Sequence, residues 1–171
     1  MAKKADERVT ILLAAIAVEE FGVDYYGRLA KCIPEPAGKA LMKSLAKDEE
    51  GHRRKIEEEL VKVLEGTAVS TAASSKEILG ILPSGPFPFP DKDNCLLLED
   101  EIKALEIGIE VEQRSIEMYY NAAGRVSDRK LRELLVKLQG IEEGHLRLLE
   151  ENMHMLRTDG AWYGYSPILE G

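Results

Sequence analysis

Cysteine, aromatic side chains and excess positive charge are all scarce in this chain, and each shortage closes off a class of protein. The two cysteines, Cys32 and Cys95, lie far apart and form no CxxC. That excludes a cysteine-type zinc site or a rubredoxin-type iron site, and suggests reduced thiols. The net charge is −8 and no basic patch interrupts it, so a nucleic-acid partner is not expected. The apolar-leaning stretch Val9 to Val18 is too short to span a bilayer, and it runs into Glu19 and Glu20 without a small-residue cleavage site. It reads as the opening of a buried helix in a cytoplasmic protein with no membrane association. Aromatic residues make up only 6% of the chain, whereas Ala, Leu, Glu, Lys and Arg are plentiful, a balance that favours helix.

Histidine is scarce too, with three in 171 residues, yet two of them stand in almost the same words. "KDEEGHRR" runs from Lys47 to Arg54, and "GIEEGHLR" from Gly140 to Arg147.

The length suits one domain with a real core. Helix 1 is expected from about Asp6 to Cys32, ended by "IPEP". Helix 2 starts near Pro36, a residue suited to a first helical turn, and ends before Gly66. Four prolines, Pro83, Pro86, Pro88 and Pro90, forbid a long helix in the next segment, although a short one around Lys76 to Leu82 fits inside it. Helix 3 is expected from near Asn94 to about Gly124. Ser127 or Asp128 would cap helix 4, which continues towards Arg157 with Gly160 just beyond. The tail "AWYGYSPILEG" is expected to be extended and packed on the bundle, with Trp162 and Tyr165 as anchors. The organisation is thus one domain over 1–171: hairpins at about 6–65 and 94–157, a crossover at about 66–93, and a tail at 158–171. Two hairpins joined by one long connection make an all-α, four-helix bundle with a single crossover between helices 2 and 3.

An offset of 93 residues carries His52 to His145, Glu49 to Glu142, Glu19 to Glu112 and Tyr26 to Tyr119 without a gap, so the hairpin is internally duplicated. Apolar seams at helical spacing run through Leu12, Ile16, Glu19, Val23, Tyr26 and Ala30 in helix 1, and Met42, Leu45, Glu49, His52 and Ile56 in helix 2. They run through Leu105, Ile109, Glu112, Ile116 and Tyr119 in helix 3, and Leu131, Leu135, Leu138, Glu142, His145 and Leu149 in helix 4. Carboxylates and imidazoles thus occupy positions where core residues belong.

Burying an ionised carboxylate without a partner is prohibitive, and four would be untenable. No matching lysines or arginines lie on those seams. Two divalent cations would supply the missing charge, and a Glu three residues before a His shares its helix face, so each ExxH can converge on one metal. One ExxH in so glutamate-rich a chain is usually a solvated face; two, in register with two seam glutamates, point to a metal centre. The alternative is a duplicated bundle that keeps protonated glutamates and no metal. Tyr26 and Tyr119, two turns past the seam glutamates, are candidates for hydrogen bonds to ligand carboxylates, although core tyrosines with a bonded hydroxyl are common. Asp48 is a weak candidate to orient a ligand histidine, because its repeat mate is Ile141. His154 lies off the seam and reads as exposed, as do Glu20, Glu50, Glu110 and Glu143.

The pattern E…ExxH…E…ExxH over two helix pairs resembles the ferritin-like di-iron superfamily, and within it the rubrerythrin family. That family's duplicated hairpin reads A-x-x-x-E-x(6)-Y followed by L-A-x-x-E-x-x-H. "AIAVEEFGVDYYGRLA" with "SLAKDEEGH", and "IEVEQRSIEMYY" with "KLQGIEEGH", are similar to it over nearly all of residues 8–155. The resemblance implies a ferritin-like bundle holding two Fe ions per chain and no haem. Glu49 and Glu142 would bridge the ions, Glu19 and Glu112 would be terminal ligands, and His52 and His145 would supply one imidazole each. Hard oxygen ligands with two imidazoles suit Fe, and Mn as well. The implied activity is reduction of hydrogen peroxide or dioxygen in an oxidative stress response. The family's C-terminal rubredoxin-type domain is absent, so electrons would come from an external donor such as a rubredoxin-type protein. Where the family often carries a further glutamate, used when iron moves on redox change, this chain has Ser115. A homodimer is expected. The alternatives are a ferroxidase or iron store of bacterioferritin type, and a di-manganese catalase.

Overall fold

The computed structural model describes residues 6–66, Ile81 and residues 101–164. Four helices are found among them: α1 (Glu7–Cys32), α2 (Pro36–Gly66), α3 (Glu101–Arg125) and α4 (Arg129–Asp159). No strand occurs among the described residues. The expected short helix around Lys76 to Leu82, nearly all of the crossover, the start of helix 3 at Asn94 and the end of the tail with Tyr165 lie outside them.

Local chemistry sets the helix ends. Asp6 caps α1 by accepting a hydrogen bond from the Arg8 amide at 2.9 Å, with extended backbone at the cap itself. Pro36 opens α2, where its missing N–H costs nothing. Of the two candidate caps for α4, Asp128 takes the role, its Oδ1 accepting from the Leu131 amide at 3.1 Å. Gly160 ends α4 in the left-handed region, with φ of 65°.

Short turns force α2 back along α1 and α4 back along α3, and each of these pairs packs along its length, with lighter contact of α1 on α3 and α2 on α4. The apolar core falls into two clusters. One gathers Val9, Leu12, Ala15, Ile56, Met118, Tyr119, Leu131 and Leu135. The other gathers Tyr25, Tyr26, Leu29, Met42, Leu45, Leu105, Leu148 and Leu149. Glu19, Glu49, His52, Glu112, Glu142 and His145 are also buried, and in chain order they fall between the members of the two clusters on their own helices. A polar layer thus divides the core.

The expected seams need one correction. Ile16, Val23, Ile109 and Ile116 are only half-buried, whereas Ala15, Val18 and Gly22 in α1, and Gly108, Val111, Ser115 and Met118 in α3, lie inside. Gly22 and Gly108 let neighbouring side chains approach closely, those of Glu49 and Leu149. The expectation of reduced thiols is corrected as well, because Cys32 is disulfide-bonded.

The start of the tail packs on the bundle. Trp162 lies against the α2 backbone at Gly38, where an added Cβ would sit 2.5 Å from the indole ring. Asn152 holds the chain there by accepting from the Gly164 amide at 3.0 Å and donating to its carbonyl at 3.1 Å.

Candidate metal centre

Each helix contributes to the polar layer at its middle. Helix α1 supplies Glu19, α2 supplies Glu49 and His52, α3 supplies Glu112, and α4 supplies Glu142 and His145. None of the six is more than 4% exposed, so water cannot neutralise them. The two imidazoles stack across the centre with ring centroids 5.6 Å apart.

The carboxylates are arranged around the two Nδ1 atoms. His52 Nδ1 lies 3.3 Å from Glu19 Oε2, 3.3 Å from Glu49 Oε2 and 3.2 Å from Glu142 Oε1. His145 Nδ1 lies 3.2 Å from Glu49 Oε1, 3.0 Å from Glu142 Oε2 and 3.9 Å from Glu112 Oε1. Glu49 and Glu142 therefore present one oxygen to each imidazole, while Glu19 faces only His52 and Glu112 only His145. Two overlapping donor groups result, Glu19, Glu49, His52 and Glu142 on one side and Glu49, Glu112, Glu142 and His145 on the other. The ligand atoms within each group lie within 4.8 Å of one another.

Tyrosines tie the terminal carboxylates down across the hairpins. The Tyr26 hydroxyl of α1 donates to Glu112 of α3, and the Tyr119 hydroxyl of α3 donates to Glu19 of α1. Burial raises both phenols well above their usual range, with Glu112 and Glu19 as the next causes, so both keep the proton they donate. Tyr25, beside Tyr26, donates instead to the Ala104 carbonyl at 2.9 Å and adds no contact to the layer.

Burial, followed by repulsion from Glu49 and Glu142, raises Glu19 and Glu112 well above the carboxylate range. Burial also works against ionisation of Glu49 and Glu142, but the imidazoles outweigh it, His145 foremost, and both carboxyls are lowered. Burial disfavours the His52 cation, yet Glu142, Glu19 and Glu49 push it up to about 12. His145 rises likewise, with Glu142 and Glu49 overcoming burial. The layer thus sets two carboxyls that resist ionisation beside two carboxyls and two imidazoles whose charged forms support one another.

Such a donor set fits two metal ions. Two divalent cations would bring four positive charges to the four carboxylates Glu19, Glu49, Glu112 and Glu142. Glu19 Oε2 and Glu142 Oε1 are buried and make no well-formed hydrogen bond among the described residues, their polar neighbour being His52 Nδ1 at 3.3 and 3.2 Å, so both remain open to a ligand.

The remaining sequence candidates separate cleanly. His154 is exposed, and Glu20, Glu50 and Glu110 pair with arginines at the surface. Ser115 is buried, but its hydroxyl donates to the Val111 carbonyl at 3.1 Å, one turn back on its own helix. Asp48 lies near the histidine of the other hairpin, with Oδ2 3.7 Å from His145 Nε2. Sequence reasoning missed Gly22. A Cβ there would sit 2.9 Å from Glu49 Cγ and 3.2 Å from Cδ, so this glycine gives the Glu49 side chain its room. A glycine one turn past a seam glutamate, in a helix interior where it costs about 1 kcal/mol, was the available signal.

Among the described residues, no helix is long and apolar enough to cross a membrane. A search of curated proteins finds no match. A hypothetical protein from Pyrococcus furiosus has a similar fold, with a TM-score of 0.69 over 91% of this chain and 93% of that one, at 20% identity. The Rubrerythrin family model matches residues 10–153, a span that includes all six residues of the buried layer. With four helices around a carboxylate–histidine layer and that match over most of its length, the chain belongs to the rubrerythrin family.

Proposed function

We propose that the protein is a non-haem di-iron oxidoreductase that reduces hydrogen peroxide or dioxygen with electrons from an external donor. One observation carries the reading: Glu49 and Glu142 each turn one oxygen to each imidazole, so two metal positions would share two carboxylates. Glu49 and Glu142 would help to hold both ions, Glu19 with His52 would complete one position, and Glu112 with His145 would complete the other.

Two ferrous ions held by these residues would supply the two electrons that, with two protons, convert hydrogen peroxide to two water molecules. The protein's own part is to hold and insulate. The two apolar clusters keep bulk water from the layer. Tyr26 and Tyr119 would fix the orientation of the terminal carboxylates by donating to Glu112 and Glu19. Ser115, tied to its own helix, offers no second carboxylate on the α3 side, and the ligand set stays at one terminal glutamate for each metal.

Electrons would return from an external reductant of rubredoxin type. A cytoplasmic setting, a role in oxidative stress and a homodimeric assembly belong to the same proposal. The test is one stoichiometric addition of peroxide to anaerobically iron-loaded protein, followed optically. Oxidation of two irons per peroxide, much faster than by air, is expected. Iron accumulating well beyond a pair per chain would replace this reading with storage, and dioxygen release without reductant would replace it with catalase chemistry.

A further inference from the structure

We propose that a charged recess between α1 and α2 is the docking site of the external electron donor, and that this donor is a small acidic protein. The inference rests on the reading above that electrons come from outside the chain. The recess has a volume of about 330 Å³ and includes Gly27 in its lining. A Cβ at Gly27 would meet nothing within 4 Å, so the missing side chain leaves open space. The walls set the carboxylates of Glu20, Asp24 and Glu50 beside the cations of Arg28, Lys31 and Arg53. Ion pairs hold these walls in place. Arg28 meets Asp24 at 2.6 Å, and Arg53 meets Glu50 at 2.9 Å and, across the two helices, Glu20 at 3.7 Å. Lys31 stands exposed at the rim.

Position along the chain links this recess to the metal centre. Glu20, Glu50 and Arg53 directly follow Glu19, Glu49 and His52, the members of one donor group that α1 and α2 supply. An electron arriving at the recess is therefore one peptide unit away from three ligands, and electrons tunnel more readily along covalent bonds than across gaps. The repeat does not reproduce the recess. At the offset of 93, Gly27 becomes Tyr120, which is 67% exposed, and Arg28, Lys31 and Arg53 become Asn121, Gly124 and Leu146. The carboxylates Asp24 and Glu50 persist there as Glu117 and Glu143. In a chain of net charge −8, the recess thus balances three anions with three cations, whereas the corresponding positions on α3 and α4 carry two anions and no cation. An acidic partner is repelled less at the recess than at its counterpart, and cations at the rim steer its approach. Each encounter passes one electron from the donor's iron–thiolate centre, so two encounters return the two electrons that one peroxide removes.

The test mixes reduced rubredoxin with the iron-loaded, peroxide-oxidised full chain and follows reduction by stopped flow. Lys31→Glu should slow the reaction by about threefold to tenfold at low ionic strength, and the difference should shrink in salt. Gly27→Tyr, which fills the recess, should slow it by about tenfold or more. Gly124→Glu, at the place in the repeat that corresponds to Lys31, should leave the rate within about twofold of wild type. Dithionite, a small reductant that needs no docking, should reduce all four proteins at one rate. A second readout needs no iron: oxidised rubredoxin titrated into the metal-free chain should shift the amide resonances of residues 23–31 and 50–53. Unchanged reduction of both Lys31→Glu and Gly27→Tyr, or amide shifts confined to α3 and α4, overturns the docking site. Failure of reduced rubredoxin to reduce wild type overturns the external-donor reading instead.

Discussion

The two hairpins repeat their ligands at one offset, yet they differ in what stands behind those ligands. In the first, Glu49 presses on bare backbone at Gly22. The matching residue in the second is Ser115, which has a Cβ and a hydroxyl bound to its own helix. Asp48 Oδ2 stands 3.7 Å from His145 Nε2, whereas Ile141 occupies the corresponding place in the repeat. Tyr25 reaches the Ala104 carbonyl, while its repeat mate Met118 simply fills core volume. Charge balance demands the full ligand set on both sides, because each carboxylate or imidazole removed leaves others buried and uncompensated. The surrounding shell has only to fill space and satisfy hydrogen bonds, and many side chains do that, so the halves are free to differ there.

The largest effect that would sharpen this comparison comes from the ligands themselves. Glu49→Ala should abolish binding of both metals, whereas Glu19→Ala should release mainly the ion beside His52, as read by elemental analysis after desalting. Loss of a single ion in both variants would break the distinction between shared and terminal carboxylates.

The pH dependence comes next, and its sign should reverse on metal loading. In metal-free protein His52 is raised to about 12, and Glu19 and Glu112 are raised too. A raised group favours the fold fully below its unfolded pKa and loses that contribution as pH climbs through the folded value. His52 and His145 thus lose theirs above about 6.5, and Glu19 and Glu112 above about 4.3. Glu49 and Glu142 are lowered, and their contribution is lost only in acid, as pH falls through their depressed values. Thermal unfolding of metal-free protein should therefore show falling stability from neutral to alkaline pH. Metal-loaded protein should behave oppositely, shedding metal as pH falls, because ligands must be deprotonated to bind. Parallel slopes in the two forms would contradict the proton-for-metal exchange.

Gly22→Ala probes the asymmetry around the shared carboxylates. Overpacking against Glu49 costs about 1–3 kcal/mol, partly offset by about 1 kcal/mol of helix propensity. The expected outcome is lower stability in denaturant and weaker metal binding, with Ser115→Ala changing stability by about 1 kcal/mol or less. If Gly22→Ala stabilises the protein and leaves metal binding intact, the close approach at Glu49 has no consequence. The smallest effect belongs to the tyrosines: Tyr26→Phe and Tyr119→Phe should each cost about 1 kcal/mol. Because each bond joins different hairpins, a double-mutant cycle pairing Tyr26→Phe with Glu112→Gln should show coupling, and pairing it with Glu19→Gln should show little.

The six buried polar residues were legible because helical spacing of three residues and a repeat of constant offset are local features that survive in one dimension. The helix boundaries at Asp6, Pro36, Asp128 and Gly160 were legible for the same reason, since caps and breakers act on their own turn. Relations between helices were not. Tyr26 and Tyr119 could be named, but nothing in either hairpin's own periodicity says that each bonds the other's glutamate. The approach of Asp48 to the histidine of the other hairpin depends on how α2 sits against α4, which neither repeat records. The seam through Ile16 and Ile109 ran too far towards the large side chains, since periodicity ranks hydrophobicity and misses where small residues permit close approach. The disulfide at Cys32 was not legible from a chain in which no second cysteine lies nearby in sequence.

The central claim is that six buried side chains hold two metals through two shared carboxylates. Its most direct test is anaerobic titration with ferrous iron, read by elemental analysis and Mössbauer spectroscopy of the desalted, then oxidised, protein. The account predicts a plateau at two irons per chain that couple magnetically. A plateau at one, uncoupled irons, or no retained iron would contradict it.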